Sequence, residues 1–273
     1  MPVTLAGILN VTPDSFSDGG RFVAVDDAVA MGVRMVEAGA RWIDVGGEST
    51  RPGAAPVSEL EEQARVVPVI TALAAKIRGR ARISIDTFKA STAEVALSAG
   101  ATIVNDVSGG LIEPALLAVV ARAGAGVVLG HMRGTPATMM EDTTYVDVVS
   151  EVVAQLRACL DAARAAGCQE LWADPGIGFS KRLPENLSLI AQLGRLRLDL
   201  GVPIMVGVSR KHFLGDLTGK PVADRTFATA GAVAACVLAG AEVVRVHDVA
   251  EMRDVAIVAR SVFEMIPTRG KKH

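Results

Sequence analysis

The chain has 273 residues, of which 50% are hydrophobic and 21% are charged, with a net charge of −2 at neutral pH. Both signs of charge are interspersed, and the longest apolar run, residues 228–241, is too short to span a bilayer, so the composition argues against nucleic acid or a membrane as partner. The three cysteines lack the spacing of a disulfide framework or a zinc site, and the N-terminus has no basic leader. We therefore expect a reduced, cytoplasmic protein.

Short runs rich in Val and Ile alternate with longer segments of helical period along the chain. These runs predict strands at residues 4–10, 41–46, 82–86, 102–106, 126–132, 170–174, 203–209 and 242–247. Helices are predicted between them at residues 25–38, 58–78, 90–99, 114–123, 146–166, 184–198 and 224–239, with a last helix at 249–265.

Eight strand–helix units, without a glycine-rich dinucleotide fingerprint after the first strand, predict a closed (β/α)8 TIM barrel. A doubly wound open sheet remains an alternative, because periodicity alone does not show closure. No linker or shift in composition divides the chain. Residues 1–273 are accordingly predicted to form a single domain, with a flexible tail at residues 267–273.

A polar residue closes every predicted strand. One such residue usually only solvates the strand end or caps the next helix. Eight of eight, mixing carboxylates, amides and cations, predict that the C-terminal face of the barrel carries the function. In chain order these strand ends carry Asn10, Asp44, Asp86, Asn105 with Asp106, His131, Asp174, Ser209 with Arg210 and Lys211, and Arg245 with His247.

Three of these side chains, Asp86, Asn105 and Asp174, are predicted to project into the mouth of the barrel. Buried carboxylates and amides need hydrogen-bond partners, and a flat heterocycle with an amide and an amino-pyrimidine edge would supply them. A structural network that ties neighbouring strands together is the alternative. Either interpretation places a polar floor at this end of the barrel.

Positive charge is predicted at the same rim. Lys211 and Arg245 supply it, and Arg51 and His247 extend it. Arginine stacks on planar rings, and arginine and lysine both suit phosphate oxygens. Ion pairs with Asp86, Asp106 or Asp174 are the alternative, and the two interpretations are compatible.

Two long polar loops, residues 12–20 and 46–56, are predicted to act as lids. The segment Asp174-Pro-Gly-Ile-Gly-Phe179 has two glycines that permit close backbone approach and then a ring that we expect to be exposed, which favours the wall of a small-molecule pocket. His131 is predicted to be a buried strand-end histidine rather than a metal ligand.

Taken together, these motifs resemble dihydropteroate synthases. The matching segments are GILNVTPDSFSDGG (7–20), DVGGESTRPGA (44–54), SIDT (84–87), NDVSGG (105–110), GHMRGTP (130–136), DPGIGF (174–179), SRK (209–211) and RVHD (245–248). The resemblance implies a (β/α)8 barrel that joins 6-hydroxymethyl-7,8-dihydropterin pyrophosphate to p-aminobenzoate, giving 7,8-dihydropteroate and pyrophosphate. It also implies a homodimer formed through outer helices, and sulfonamides as inhibitors.

The resemblance also assigns residues to each substrate. The pterin would lie against Asp86, Asn105, Met132, Asp174, Gly207 and Lys211, with Arg245 stacked on its ring. The pyrophosphate would be held by Asn10, Arg51, Arg245 and His247, with Mg²⁺ bridging its oxygens and Asn10. The p-aminobenzoate pocket would be formed by Phe179, Ser209 and Lys211 and completed by Phe16, Asp18, Thr50, Arg51 and Pro52. Asp18 would stabilise the pterin cation or help to remove the amine proton, and Asp86 and Asp174 would stabilise the same cation.

Three other functions compete with this one. A methyltetrahydrofolate:corrinoid methyltransferase would share the pterin-facing residues but would not need Asn10, Arg51 and His247 for a pyrophosphate. A non-catalytic pterin-binding relative should have lost loop residues or Lys211, and none is missing here. A Schiff-base aldolase would use Lys211 as its nucleophile. The sequence departs from the resemblance at His212, where a serine or arginine is more usual.

Overall fold

The computed structural model of the protein describes residues 3–12, 20–51 and 53–266. Its eight strands are mostly buried on both faces, which explains their nearly continuous apolar sequences. They are β1 (Thr4–Asn10), β2 (Trp42–Gly46), β3 (Arg82–Asp86), β4 (Ile103–Asp106), β5 (Gly126–Gly130), β6 (Glu170–Asp174), β7 (Met205–Gly207) and β8 (Val243–Val246).

Helices connect the strands on the outside of the sheet. They are α1 (Gly20–Glu37), α2 (Glu59–Ile77), α3 (Ala90–Ser98), α4 (Ala115–Ala123), α5 (Val148–Ala165), α6 (Leu183–Ala191), α7 (Leu193–Leu200), α8 (His212–Thr218), α9 (Thr226–Leu238) and α10 (Val249–Met265). A 3-10 turn, Val222–Asp224, precedes α9.

The eight parallel strands close into a barrel. Their order in the sheet is β6-β5-β4-β3-β2-β1-β8-β7, so closure requires β6 to meet β7. It does so through a parallel bridge between Ala173 and Ile204, where the Ala173 amide donates to the Pro203 carbonyl at 3.1 Å. The predicted (β/α)8 barrel is confirmed, and the open doubly wound sheet is wrong.

Large side chains fill the N-terminal half of the barrel interior. Trp42 and Trp172 meet edge to face with ring centroids 4.8 Å apart. Below them the Arg82 guanidinium lies 5.9 and 5.6 Å from the two ring centroids and pairs with both carboxylate oxygens of Glu170, at 2.7 and 2.8 Å. The described side chains thus plug this end of the barrel, and the pocket that the described residues form lies at the C-terminal end.

Most predicted elements are confirmed to within two residues at each end, and two are not. The first helix begins at Gly20, five residues before the start predicted at residue 25. The single helix predicted at 184–198 is two helices, α6 and α7, because the backbone leaves the helical region at Gln192. The strand predicted at 203–209 is only three residues long, Met205–Gly207. Helix α8 was not predicted. It is a short helix that contains Gly215, and the absence of a side chain at Gly215 makes room for the Arg225 guanidinium.

Two further features bear on the predicted setting of the protein. Within the described residues, no helix is both long and apolar enough to cross a membrane. All three cysteines are free and buried. The tail predicted at residues 267–273 lies outside the described residues.

Candidate active site

The inward-facing residues near the C-terminal ends of the strands surround one pocket. The register of the sheet sets neighbours side by side, Asp86 next to Asn105, Gly130 next to Asp174, and Gly207 next to Arg245. The pocket is lined by eight of the predicted site residues: Thr50, Asp86, Asn105, Asp174, Phe179, Gly207, Lys211 and Arg245. Strands far apart in sequence therefore contribute to one cavity, as the pattern of polar strand ends predicts.

Arg245 lies at the centre of the pocket floor. Its guanidinium donates from Nε to Asp44 Oδ2 and from Nη2 to Asp86 Oδ2, the latter at 2.7 Å. Asn105 donates to the same oxygen of Asp44 at 3.1 Å. The predicted ion pair of Arg245 with Asp86 is confirmed, and Asp44 is a second partner that the sequence did not assign to the site.

Hydrogen-bond acceptors remain open on this floor. Among the described residues, Asp44 Oδ1, Ser84 Oγ and Asp86 Oδ1 are buried and have no hydrogen-bond partner. Burial raises the pKa of Asp86 to about 7, although the charge of Arg245 lowers it. Buried polar atoms without partners are costly, so this floor is suited to a ligand that brings N–H donors.

Lys211 and Phe179 form one wall of the pocket. The Lys211 ammonium lies 3.9 Å from the centroid of the Phe179 ring, within the range of a cation–π contact. Burial lowers the pKa of Lys211 to about 8, and nearby Arg245 adds to that effect. Phe179 is only half-buried, and its ring lies under Lys211 rather than standing free as expected.

Asp174 closes β6 below this wall. Its Oδ1 accepts the Gly176 amide at 2.7 Å, which turns the following loop back across the barrel mouth. Burial raises the pKa of Asp174, and the Gly176 hydrogen bond and the charge of Lys211 oppose that shift. Asp106, by contrast, forms no ion pair with a cation among the described residues. Its two oxygens accept from Ser108 and Gly110 and shape the loop after β4.

Ser209 and His247 form a pair at the end of β8, outside the residues that line the pocket. The Ser209 hydroxyl accepts the His247 backbone amide at 3.2 Å and lies 2.9 Å from His247 Nδ1. Burial, Arg245 and Arg210 lower the pKa of His247 to about 4. The imidazole is therefore neutral at neutral pH, and a hydroxyl that donates to Nδ1 leaves Nε2–H as a donor.

Asn10 ends β1 and is paired in register with Gly46. A side chain on Gly46 would meet Asn10 Oδ1 at 3.7 Å and Asp86 Oδ2 at 3.8 Å, so the glycine keeps a gap between these two oxygens. Within the described residues, no group of three or more His, Cys, Asp and Glu side chains could hold a metal ion.

The remaining predicted residues differ in where they lie. Met132 lies two residues after β5 and is buried, whereas Arg51 is exposed. Neither residue is among those that line the pocket. Arg51 still contributes to lowering the pKa of His247. Phe16, Asp18 and Pro52 lie outside the described residues. His131 is buried, as predicted, and burial lowers its pKa to about 2.

Comparison with known proteins places the chain among close relatives. The model of a family described as "Pterin binding enzyme" matches residues 6–247. The dihydropteroate synthase of Synechocystis sp. is 44% identical over 94% of this chain and 89% of its own.

Two solved structures are similar in both sequence and fold. A structure of Xanthomonas albilineans dihydropteroate synthase with 4-aminobenzoic acid is 43% identical, with a TM-score of 0.88 over 97% of this chain and 94% of that one. A Yersinia pestis dihydropteroate synthase in complex with a sulfonamide drug is 40% identical, with a TM-score of 0.89 over 96% of this chain and 95% of that one.

Proposed function

The chain belongs to the pterin binding enzymes and, within them, to the dihydropteroate synthases, and on that premise we propose how its residues perform the reaction. The reaction is a transfer in which p-aminobenzoate displaces pyrophosphate from 6-hydroxymethyl-7,8-dihydropterin pyrophosphate to give 7,8-dihydropteroate. The observation that carries the residue assignment is the convergence of Asp86, Asn105, Asp174, Lys211 and Arg245 in one pocket.

The pterin occupies the pocket floor in this proposal. Asp86 and Asp174 accept its N–H groups, and Asn105 supplies both a donor and an acceptor. The open Oδ1 of Asp86 supports this placement, because it needs a donor that the described protein does not provide. Arg245, fixed by Asp44 and Asp86, stacks on the ring, and Gly207 leaves room for it by its small size. Met132 is assigned to the same pocket by the family resemblance, although it is not among the residues that line the pocket in the structure.

The pyrophosphate lies at the rim. Arg51, Arg245 and the Nε2–H of neutral His247 donate to its oxygens, and Asn10 would hold a magnesium ion through Oδ1. Mg²⁺ at that position would neutralise charge on the leaving group. The charges of Arg51 and Arg245 act in the same direction, since they favour negative charge as it develops.

Departure of pyrophosphate leaves a pterin-stabilised cation, and the amine of p-aminobenzoate attacks it. The carboxylates of Asp86 and Asp174 stabilise the cation from below. An aniline is already a good nucleophile, so the site needs no strong general base. Asp18, which lies outside the described residues, is proposed to stabilise the cation or to take up the amine proton.

p-Aminobenzoate binds between the wall formed by Phe179 and Lys211 and the loops that carry Phe16, Thr50 and Pro52, with Ser209 at its edge. Sulfonamides occupy the same place, as competitive inhibitors. We further propose that the enzyme is a cytoplasmic homodimer formed through outer helices, a proposal that rests on the family resemblance.

A competition assay tests this assignment. Purified protein is given the pterin pyrophosphate, Mg²⁺ and varied p-aminobenzoate, at several concentrations of a sulfonamide. Competitive inhibition against p-aminobenzoate, without competition against the pterin substrate, is the expected result. Methyl transfer from methyltetrahydrofolate to a corrinoid, with no dihydropteroate formed, would instead support the methyltransferase alternative.

A further inference from the structure

The loop between β6 and α6, residues 175–182, passes unusually close to neighbouring backbone. Gly176 has a φ of +69°, and a Cβ at this position would stand 1.9 Å from the His131 carbonyl oxygen. Gly178 has a φ of +80°, and a Cβ there would meet the Lys211 side chain at 3.0 Å. Only glycine fits at Gly176, so the path of this loop is tightly constrained.

Lys181 holds the loop from the inside. The residue is only 3% exposed, and its ammonium donates to the Gly176 carbonyl at 3.0 Å, to the Phe179 carbonyl at 2.9 Å and to His131 Nδ1 at 2.9 Å. An ammonium has three donors, and all three are used. Two of the three fix carbonyls on either side of the loop tip.

The partner His131, which directly follows β5, is suited to this role. Burial and the charge of Lys181 lower the pKa of His131 to about 2, so the imidazole is neutral and Nδ1 accepts. Burial also lowers the pKa of Lys181, to about 7. No carboxylate among the described residues forms a hydrogen bond or ion pair with this ammonium, and burying a cation in this way is costly.

Phe179 is therefore held by two lysines. Lys181 binds its backbone carbonyl from within the protein, and Lys211 lies against its ring from the pocket side. The ring position follows from both contacts, because the carbonyl fixes the backbone from which the side chain projects. Asn186 adds a further restraint by accepting the Gly178 amide at 2.6 Å.

We propose that Lys181 is a positioning residue that places the Phe179 ring and thereby sets the affinity for p-aminobenzoate and for other aromatic ligands of that pocket. The proposal rests on the proposed function of the Phe179 wall. Lys181 does not line the pocket. It acts on substrate through Phe179, whereas the backbone of Asp174 is fixed by its place at the end of β6, in register with Gly130 of β5.

Steady-state kinetics of Lys181→Met and Lys181→Gln test the proposal, with exposed Lys76→Met as the matched control. Methionine has similar length and no donors, while glutamine keeps two. In Lys181→Met the KM for p-aminobenzoate and the Ki of a sulfonamide should rise about tenfold, equivalent to about 1.4 kcal/mol. The KM for the pterin substrate and kcat at saturating p-aminobenzoate should change by less than about threefold. Lys181→Gln should show a smaller rise of the same kind.

A purely structural role would give a different pattern. It would lower the thermal midpoint and the active fraction, so that kcat fell while both KM values stayed the same, and that result would overturn the proposal. Unchanged kinetics would do so as well. If Lys181→Met does not fold, Lys181→Gln decides by the same comparison. Wild-type turnover is measured alongside, so that loss of the proposed function is distinguished from failure of this inference.

Discussion

The guanidinium of Arg245, on β8, donates to the carboxylate of Asp44, on β2, although β1 lies between their two strands in the sheet. The contact crosses β1 on the inner face of the barrel, and Asp44 is only 1% exposed. A charge pair at this depth fixes the plane of the guanidinium before any ligand arrives. Asp44 thus prepares Arg245 for the ring it is proposed to stack on.

Replacing Asp44 with asparagine should weaken both stability and pterin binding. Removal of one partner from a buried ion pair costs about 3–5 kcal/mol when the other charge is left uncompensated. Because Asp86 still pairs with Arg245, we expect a loss below this range but above that of a surface pair. Denaturant unfolding measures this loss, and calorimetry with a pterin measures the accompanying fall in affinity. Asp142→Asn, which removes an exposed ion pair with Arg133, serves as the control and should cost about 0–1 kcal/mol. Equal effects of the two substitutions would contradict the role given to Asp44.

Pterin binding should depend on pH through Asp86. Its pKa is raised to about 7 by burial, with Arg245, Asp44, Glu62 and Lys211 as the charged groups around it. The carboxyl is ionised above that pH and accepts pterin N–H groups, and below it the carboxyl is protonated and loses this ability. Calorimetry with 6-hydroxymethylpterin, which lacks a titrating pyrophosphate, measures this dependence. As the pH falls below 7, the affinity should decrease by a factor that approaches about tenfold for each pH unit.

Asp86→Asn provides the control for this titration. The variant should bind more weakly above pH 7, and its affinity should be nearly flat across the same range. A wild-type affinity that stays constant between about pH 5 and pH 8 would be inconsistent with a titrating Asp86 at the pterin site.

The sequence predicts the fold and most of the site because both depend on local patterns. Apolar runs of strand length end on polar residues, and parallel strands in a barrel bring those ends together. Asp44 is predicted as a strand-end residue, but its partner Arg245 lies 201 residues away, and only the pairing of β1 with both β2 and β8 shows that they meet. Lys181 follows a glycine-rich turn, where a lysine normally projects into water, so no local pattern indicates its burial.

Two features of the helices were not predicted because the local hydrophobic pattern does not indicate them. The apolar period continues through Gln192, so the break between α6 and α7 is invisible in the hydrophobic pattern. Helix α8 spans only His212–Thr218 and contains a glycine, which is too short and too irregular for periodicity to identify. Its form depends on Arg225, which also donates to the Arg210 and Lys211 carbonyls at 3.2 Å each.

Arg51→Ala should remove most of the activity without unfolding the protein. Arg51 is exposed, so its side chain contributes little to the core, and the loss should fall on the departing pyrophosphate. We expect kcat/KM to fall by about 10²-fold, which corresponds to about 2.7 kcal/mol of transition-state stabilisation. Arg122→Ala removes another exposed arginine, on α4 and paired with Glu94, and should leave turnover unchanged. Wild-type kinetics in Arg51→Ala would refute its place at the pyrophosphate.

Removal of magnesium should act on the pyrophosphate and spare the pterin ring. In the presence of a chelator, turnover should be lost. The affinity for 6-hydroxymethylpterin should stay within about twofold of its value with Mg²⁺, since that ligand has no phosphate oxygens for the metal. Asn10→Ala should raise the Mg²⁺ concentration needed for half-maximal rate. The same Mg²⁺ requirement in the variant and the wild type would remove Asn10 from the proposed metal ligands.

The most direct test of the account is pyrophosphate release from the purified protein, given the pterin pyrophosphate and Mg²⁺ with and without p-aminobenzoate. The account predicts release that depends on p-aminobenzoate and is matched by formation of 7,8-dihydropteroate in equal amount. Clear binding of the pterin without turnover would contradict the synthase function and leave a pterin-binding protein. If the protein neither binds the pterin nor releases pyrophosphate, that result would contradict the site itself.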